Sequence, residues 1–437
     1  MTIDPRWIVR DAARPVFSLC LAFPGGASGD PAGEAGLSHL TALLTQGGAG
    51  DLPRKAFLEA VDRFGASLDV SVSRHHTLLW IDGLSRHLEP LVELAALSLG
   101  APRHDVAELE RTRRELLAEI DEVRDDDSAL GSRAFAQALY GPHPYARPLK
   151  GTAATLGRLD RDKVATRHAE LFAGATVVAG LAGDSDAEAL AGAVARLVPP
   201  RANGLVREAA APLAIPAPTR RSGLHVVLVD KPDRSQTQLF IGQPTLALGH
   251  PDWTALQLAQ TAFGGIFTST LSQEIRERRG WSYSVWSALQ SDPFLGTFQI
   301  RLHPNNADLG PALRTTLALL GDFTASGPDP ACFVAARDNL ARGHVFGIDT
   351  ATRLLWERLS TALAGLPPAW LEDAVARYRG VTLEAAQAAA RAHLSPSDLT
   401  IVVVGTAREV ARELETLPGL ASFEVRDWNF EVEDATA

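Results

Sequence analysis

The sequence predicts an α+β chain of two homologous domains, each a largely antiparallel sheet with helices packed on one face. Three observations carry that expectation. At 437 residues the chain is longer than one hydrophobic core ordinarily serves. Residues 159–183 (LDRDKVATRHAELFAGATVVAGLAG) and 381–405 (VTLEAAQAAARAHLSPSDLTIVVVG) align without a gap at an offset of 222, about half the chain. In both halves, hairpin-like β-branched strands stand apart from runs of helical spacing, which disfavours a doubly wound parallel sheet.

The elements follow in order. Val16–Phe23 and Val70–Ile81 read as strands, and Gly36–Thr45, Arg54–Phe64, Leu88–Leu99 and Asp105–Val123 as helices of 3.6-residue spacing. The repeat then supplies a helix capped by Asp160, an apolar strand ending in glycine, and the helix Asp186–Leu197. Residues 206–221 carry three prolines and no periodicity, so they predict a linker between domains 1–205 and 222–437. In the second domain Val226–Val229 and Thr237–Ile241 read as strands. A helix rich in Glu274, Arg276, Glu277, Arg278 and Arg279 closes at Gly280, after which Trp281, Tyr283, Val285 and Ser287 alternate as a strand. The second copy of the repeat has Thr382 at its cap and ends in the helix Ala407–Leu414.

Composition narrows the function. Hydrophobic residues make up 46% and charged residues 22%, a globular balance, and the net charge of −10 disfavours a nucleic-acid partner. The two cysteines, Cys20 and Cys332, rule out a disulfide scaffold or a Cys-rich zinc module; they could form one bridge, but two buried free thiols are expected. No apolar run reaches the ~18 residues of a membrane span. The opening MTIDPRW lacks a signal-peptide layout, so the chain as written reads as cytoplasmic, or as periplasmic if it is the mature form of an exported protein. No nucleophile elbow, P-loop or dinucleotide fingerprint offers another chemistry.

Two places remain. His39 stands on a helix that is otherwise small and apolar, where a histidine is usually structural. Residues 268–287 (TSTLSQEIRERRGWSYSVWS) alone describe a solvated helix end feeding a strand. Together they resemble the pitrilysin and mitochondrial-processing-peptidase family, whose zinc motif is H-x-x-E-H. Gly36-Leu37-Ser38-His39-Leu40-Thr41-Ala42-Leu43 stands where that family reads G-L-A-H-L-x-E-H. Leu116-Leu117-Ala118-Glu119-Ile120 matches the helix of its third zinc ligand, and Tyr140-Gly141-Pro142-His143-Pro144-Tyr145, with Gly151 beyond, matches its Y-G-x-H-P-Y loop. The ten residues Arg276 to Val285 match R-E-K-R-G-L-x-Y-S-V.

The resemblance implies a peptidase site that this chain has lost. His39 and Glu119 are relict metal positions, while Ala42 replaces the base and Leu43 the second histidine, so no metal is expected here. His75 and His76 do not rescue the site, since neighbours in a strand point to opposite faces; a solvated strand end is expected for both. Arg276 and Tyr283 match the family's pair that acts across the chamber from the metal. By resemblance this is a non-catalytic subunit of a heterodimeric zinc metallopeptidase, inactive alone. Zinc would sit in a homologous H-x-x-E-H partner, the substrate would be an extended, unfolded peptide, and Gly264 and Gly265 would line its path. The alternative is a structural or peptide-binding protein of the same fold with no role in proteolysis.

Overall fold

The computed structural model describes residues 4–172, 177–198, 215–219 and 221–430. In the first half β1 (Ile8–Arg10) and β2 (Val16–Pro24) precede a two-residue ladder of β3 (Gly48–Ala49) and β4 (Leu52–Pro53). Then come β5 (Ser67–Val72), β6 (His76–Leu84) and β7 (Val178–Gly183). In the second half lie β8 (Leu224–Asp230), β9 (Gln238–Thr245), β10 (Val285–Gln290), β11 (Gly296–Leu302), β12 (Leu399–Gly405) and β13 (Leu420–Asp427).

The first sheet runs β1-β7-β2-β6-β5 and the second β10-β11-β9-β12-β8-β13. Shifting by half the chain maps β1, β7, β2, β6 and β5 onto β8, β12, β9, β11 and β10. The two orders are then the same, with β13 added at the second sheet's edge. Each sheet keeps one parallel pair at matching places, β1 with β7 and β8 with β12, and β13 is parallel to β8. The remaining pairs in both sheets are antiparallel. The duplication is therefore one of topology as well as of sequence.

Two expected strands end differently. The run Val70–Ile81 is a hairpin, broken at Ser73–His75. The Ser73 hydroxyl accepts the amides of His75 and His76 at 3.3 and 3.0 Å, and the Ser73 amide donates to the His76 carbonyl at 2.8 Å. This local side-chain bonding outcompetes the extended ladder. The strand after Gly280 starts only at Val285. Trp281 donates back to the Ile275 carbonyl at 3.1 Å, and the Ser282 hydroxyl donates to the Ser284 carbonyl at 2.6 Å, so these residues build a turn.

Each sheet has its own half's helices on one face, and its other face takes a helix from the other half. Helix Asp127–Tyr140, capped by Asp126 accepting from Ser128 and Ala129, packs on β9 and β12. Its Leu130, Ala134 and Phe135 share a core with Val229, Phe240, Val402 and Val404. Helix Ala351–Leu363, capped by Thr350, packs reciprocally on β7 and β1, with Leu355 and Leu359 fully buried in the first-half core. A Cβ at Gly180 of β7 would lie 2.4 Å from Leu355, and one at Gly131 would lie 2.2 Å from Phe240. Glycine at these two places is set by helix-to-sheet distance. The two helices stand half a chain apart, so the exchange follows the duplication.

Polar anchors complete the joint. Lys231, nearly wholly buried, donates to Asp127 at 2.6 Å and to the Arg124 carbonyl. His75 lies 2.7 Å from the Tyr145 hydroxyl and 3.1 Å from Asp292, and Tyr145 donates to the same carboxylate. Burial opposes ionisation of Asp292, yet the bonds from His75, Tyr145 and the Phe294 amide outweigh it and hold the carboxyl below its usual range. The expectation of a solvated strand end is thus corrected: His75 is 7% exposed, because the hairpin turn carrying it is pressed onto the turn before β11. Burial, and then the neighbouring His75, push His76 down to about 4. Cys20 and Cys332 are free, buried thiols. Most of the expected linker 206–221 lies outside the described residues.

Candidate functional site

The first half's candidate site is built on helix Leu37–Thr45. Gly36 precedes it at φ +93°, where a Cβ would lie 2.7 Å from the Lys150 carbonyl, so only glycine admits the chain here. Buried Asp30 accepts the amides of Gly36 and Ser38 at 3.1 and 3.0 Å and anchors the helix start. Burial raises its carboxyl to about 6, against the lowering effect of Ser38 and Arg167. Leu37, Leu40 and Leu44 pack on Leu116 and Ile120 of helix Val106–Asp125, which brings Glu119 beside His39. The two relict residues are therefore neighbours, as the motif requires.

A third group has joined them. Lys150 Nζ lies 2.6 Å from Glu119 Oε2, and Gly151, the last residue of the matched loop, sets this lysine over the helix. Burial, then the Lys150 charge, lower the His39 imidazole, with Glu119 opposing. Leu43 leans on the same apolar cluster, and Ala42 is 1% exposed within the sheet core. Zinc does not fit this donor set. A cation already neutralises the carboxylate, a leucine stands for the second imidazole, and the base position is closed by packing.

The second half's site is open. Residues Ser272–Arg278 form a wide π-type turn, a form that recurs at functional sites. Gly280 at φ +66° then reverses the chain. The turn sends the Arg276 guanidinium between two exposed rings, 3.9 Å from the Phe267 centroid and 5.0 Å from that of Tyr283. Tyr283 is 86% exposed. Glu274 pairs with Arg278 and Arg279 at 2.6 and 2.8 Å, and among the described residues the ion-pair partner of Arg276 is the exposed Glu277, at 3.3 Å. Arg276 is thus partly exposed and lies on the phenol's own surface, its guanidinium shared between the two rings.

Of the glycine pair, Gly264 is buried. A Cβ there would lie 2.4 Å from the Ser287 hydroxyl of β10, so packing alone requires glycine; Gly265 is at the surface. Among the described residues no hydrogen bond or ion pair joins the Arg276–Tyr283 pair to His39 and Glu119. Sequence reasoning missed Phe267, Lys150 and the His75–Tyr145–Asp292 contact. Only the last had a signal, in the matched Tyr145 loop.

This doubled sheet with one relict helix and one open arginine–tyrosine surface defines a class: a two-domain zinc-peptidase fold whose own metal site is dismantled. A family model described as insulinase (peptidase family M16) matches residues 8–153, and one described as peptidase M16 inactive domain matches residues 158–340. The chain belongs to peptidase family M16. It is 28% identical to an uncharacterized zinc protease of Mycobacterium tuberculosis over 83% of this chain and 82% of that one. A protein of Helicobacter pylori described as a non-peptidase homolog is 23% identical over 62% of each chain. The crystal structure of a peptidase M16 inactive domain from Pseudomonas fluorescens superposes at TM-score 0.82 with 25% identity, over 91% of this chain and 95% of that one. The chain is a non-catalytic member of its family.

Proposed function

We propose that this chain is the arginine–tyrosine subunit of a heterodimeric zinc metallopeptidase. A homologous subunit with an intact H-x-x-E-H motif holds the zinc, and this chain binds none. The observation that carries the reading is the clamp of Arg276 between Phe267 and the exposed Tyr283. An exposed phenol beside a guanidinium, with no hydrogen-bond partner among the described residues, is suited to act on another molecule. Arg276 would grip the backbone of an extended peptide, and the Tyr283 hydroxyl would donate to the oxygen that gains charge as the scissile carbonyl is attacked. Gly265 leaves room for peptide backbone to pass close by. Family resemblance suggests that the substrate is unfolded, of modest length and held in a chamber between the two subunits. The test is reconstitution. Mixing the chain with an H-x-x-E-H homologue should produce cleavage of an unfolded peptide that neither shows alone. A stable mixed dimer without cleavage would favour the structural or peptide-binding alternative.

A further inference from the structure

We propose that the second half holds a surface site for a divalent transition-metal ion of the zinc class, formed by His250, Asp252 and His393. The ligand atoms of these three residues lie within 4.8 Å of one another. They come from separate elements. His250 and Asp252 stand in the turn leading into helix Trp253–Gln260, and His393 is the last residue of helix Leu383–His393. This site is independent of the relict one and of the proposed peptidase role.

The frame is already fixed. His250 donates its amide to the Ala247 carbonyl at 3.2 Å, and its carbonyl accepts from Trp253 at 2.9 Å. The His393 carbonyl accepts from Gln243 and Thr245 of β9 at 3.2 and 3.4 Å. Beneath them the two helices share the second-half core through Leu256, Ala259, Ala386 and Ala390. Ligands on a rigid frame lose little freedom on binding.

The side chains stand close to coordination distance. Zinc–ligand bonds of about 2.0–2.2 Å in a tetrahedron set neighbouring ligand atoms about 3.4 Å apart. His393 Nε2 and Asp252 Oδ2 are 2.7 Å apart, and the His250 and His393 rings stand 5.2 Å between centroids, edge to face. An ion entering here spreads the first pair slightly and draws His250 in. The Nδ1 lone pair of His250 accepts the Asp252 amide at 3.1 Å, so an ion bound through this atom displaces that hydrogen bond. His393 Nε2 faces Asp252, and to ligate through this atom the neutral imidazole carries its hydrogen on Nδ1; a protonated imidazole cannot ligate, so binding weakens in acid. Two imidazoles with one carboxylate select a zinc-like ion over calcium or magnesium, which prefer all-oxygen sites. Three protein ligands leave a fourth position for water. Bound there, the ion ties the turn after β9 to the end of helix Leu383–His393. It lies beside Trp253, which lines the cavity of about 690 Å³ between the halves.

The experiment uses the full chain without an affinity tag, titrated with Zn²⁺ by calorimetry and with Co²⁺ by visible absorption. One ion per chain is expected, with cobalt bands of imidazole coordination and at least tenfold weaker binding at pH 5.5 than at pH 7.5. His250→Ala and His393→Ala should each weaken binding tenfold or more, while His39→Ala leaves it unchanged. His250→Ala guards against misfolding, since that side chain is bonded only within its own turn; a melt in chelator shows that the fold is retained. No binding of either ion, or binding indifferent to both substitutions, overturns the proposal.

Discussion

The His39–Glu119 and Arg276–Tyr283 surfaces differ in where their charges are answered. In the first half every charge at the relict site has a partner inside the chain: Glu119 has Lys150, and leucine and alanine fill the rest. In the second half the guanidinium lies between two rings that solvent already reaches, and its carboxylate neighbour is exposed. A site satisfied from within has no further use for a ligand, whereas an open one keeps its capacity to bind. The difference teaches that the carboxylate beside the apolar helix is paired within the chain, whereas the guanidinium of the second half is shared between exposed rings.

The largest effect expected from this contrast is in turnover. In a reconstituted heterodimer Tyr283→Phe should lower kcat by roughly 10²–10³, the range for losing one oxyanion donor, with assembly unchanged. His39→Ala in the same dimer should leave kcat within about twofold. Equal losses from both substitutions would erase the distinction. Next comes metal affinity at the relict helix, measured by zinc titration in a His393→Ala background. Leu43→His alone should bind poorly because Lys150 holds Glu119. Adding Lys150→Met should tighten zinc roughly tenfold or more by freeing the third ligand.

Acid should separate the halves next. Burial lowers His76 to about 4, and likewise His168, helped by His104, from an ordinary 6.5. Above the ordinary value both groups are neutral whether folded or not, so nothing is lost. Between pH 6.5 and 4 the unfolded chain takes up protons that the folded chain refuses, and stability falls as pH drops. The full effect is on the order of 3 kcal/mol for each histidine, read from denaturant midpoints across that window. His168→Phe should flatten the curve. The smallest effect belongs to the Glu119–Lys150 pair itself. Both side chains are about half exposed, so Glu119→Gln should change stability by less than about 1 kcal/mol. A larger loss would mean that the pair anchors the fold.

Sequence made the duplication legible because two apolar strands and their capped helices recur at a fixed offset, and burial enforces that pattern. The relict positions were legible only through the resemblance of Gly36–Leu43 and Leu116–Ile120 to the family's motifs. Three features were not. Lys150 sits 31 residues from Glu119, and no local pattern links them. The burial of His75 depends on Asp292, 217 residues away, meeting it at the joint between halves. The turn at Trp281–Ser284 looked extended because alternation of side chains was the sole signal, and the serine bonds that bend it carry no periodicity. Long-range contacts between polar residues leave no rhythm in a sequence.

The reciprocal loan of helices makes the two halves depend on each other. Each sheet needs a helix that the other copy supplies, so a single unduplicated unit would leave a sheet face bare. Within one chain the two segments, Asp127–Tyr140 and Ala351–Leu363, meet the opposite sheets at high effective concentration. Residues 1–205 expressed alone should therefore self-associate, and co-expression with residues 222–437 should restore a one-to-one complex that survives without the covalent link.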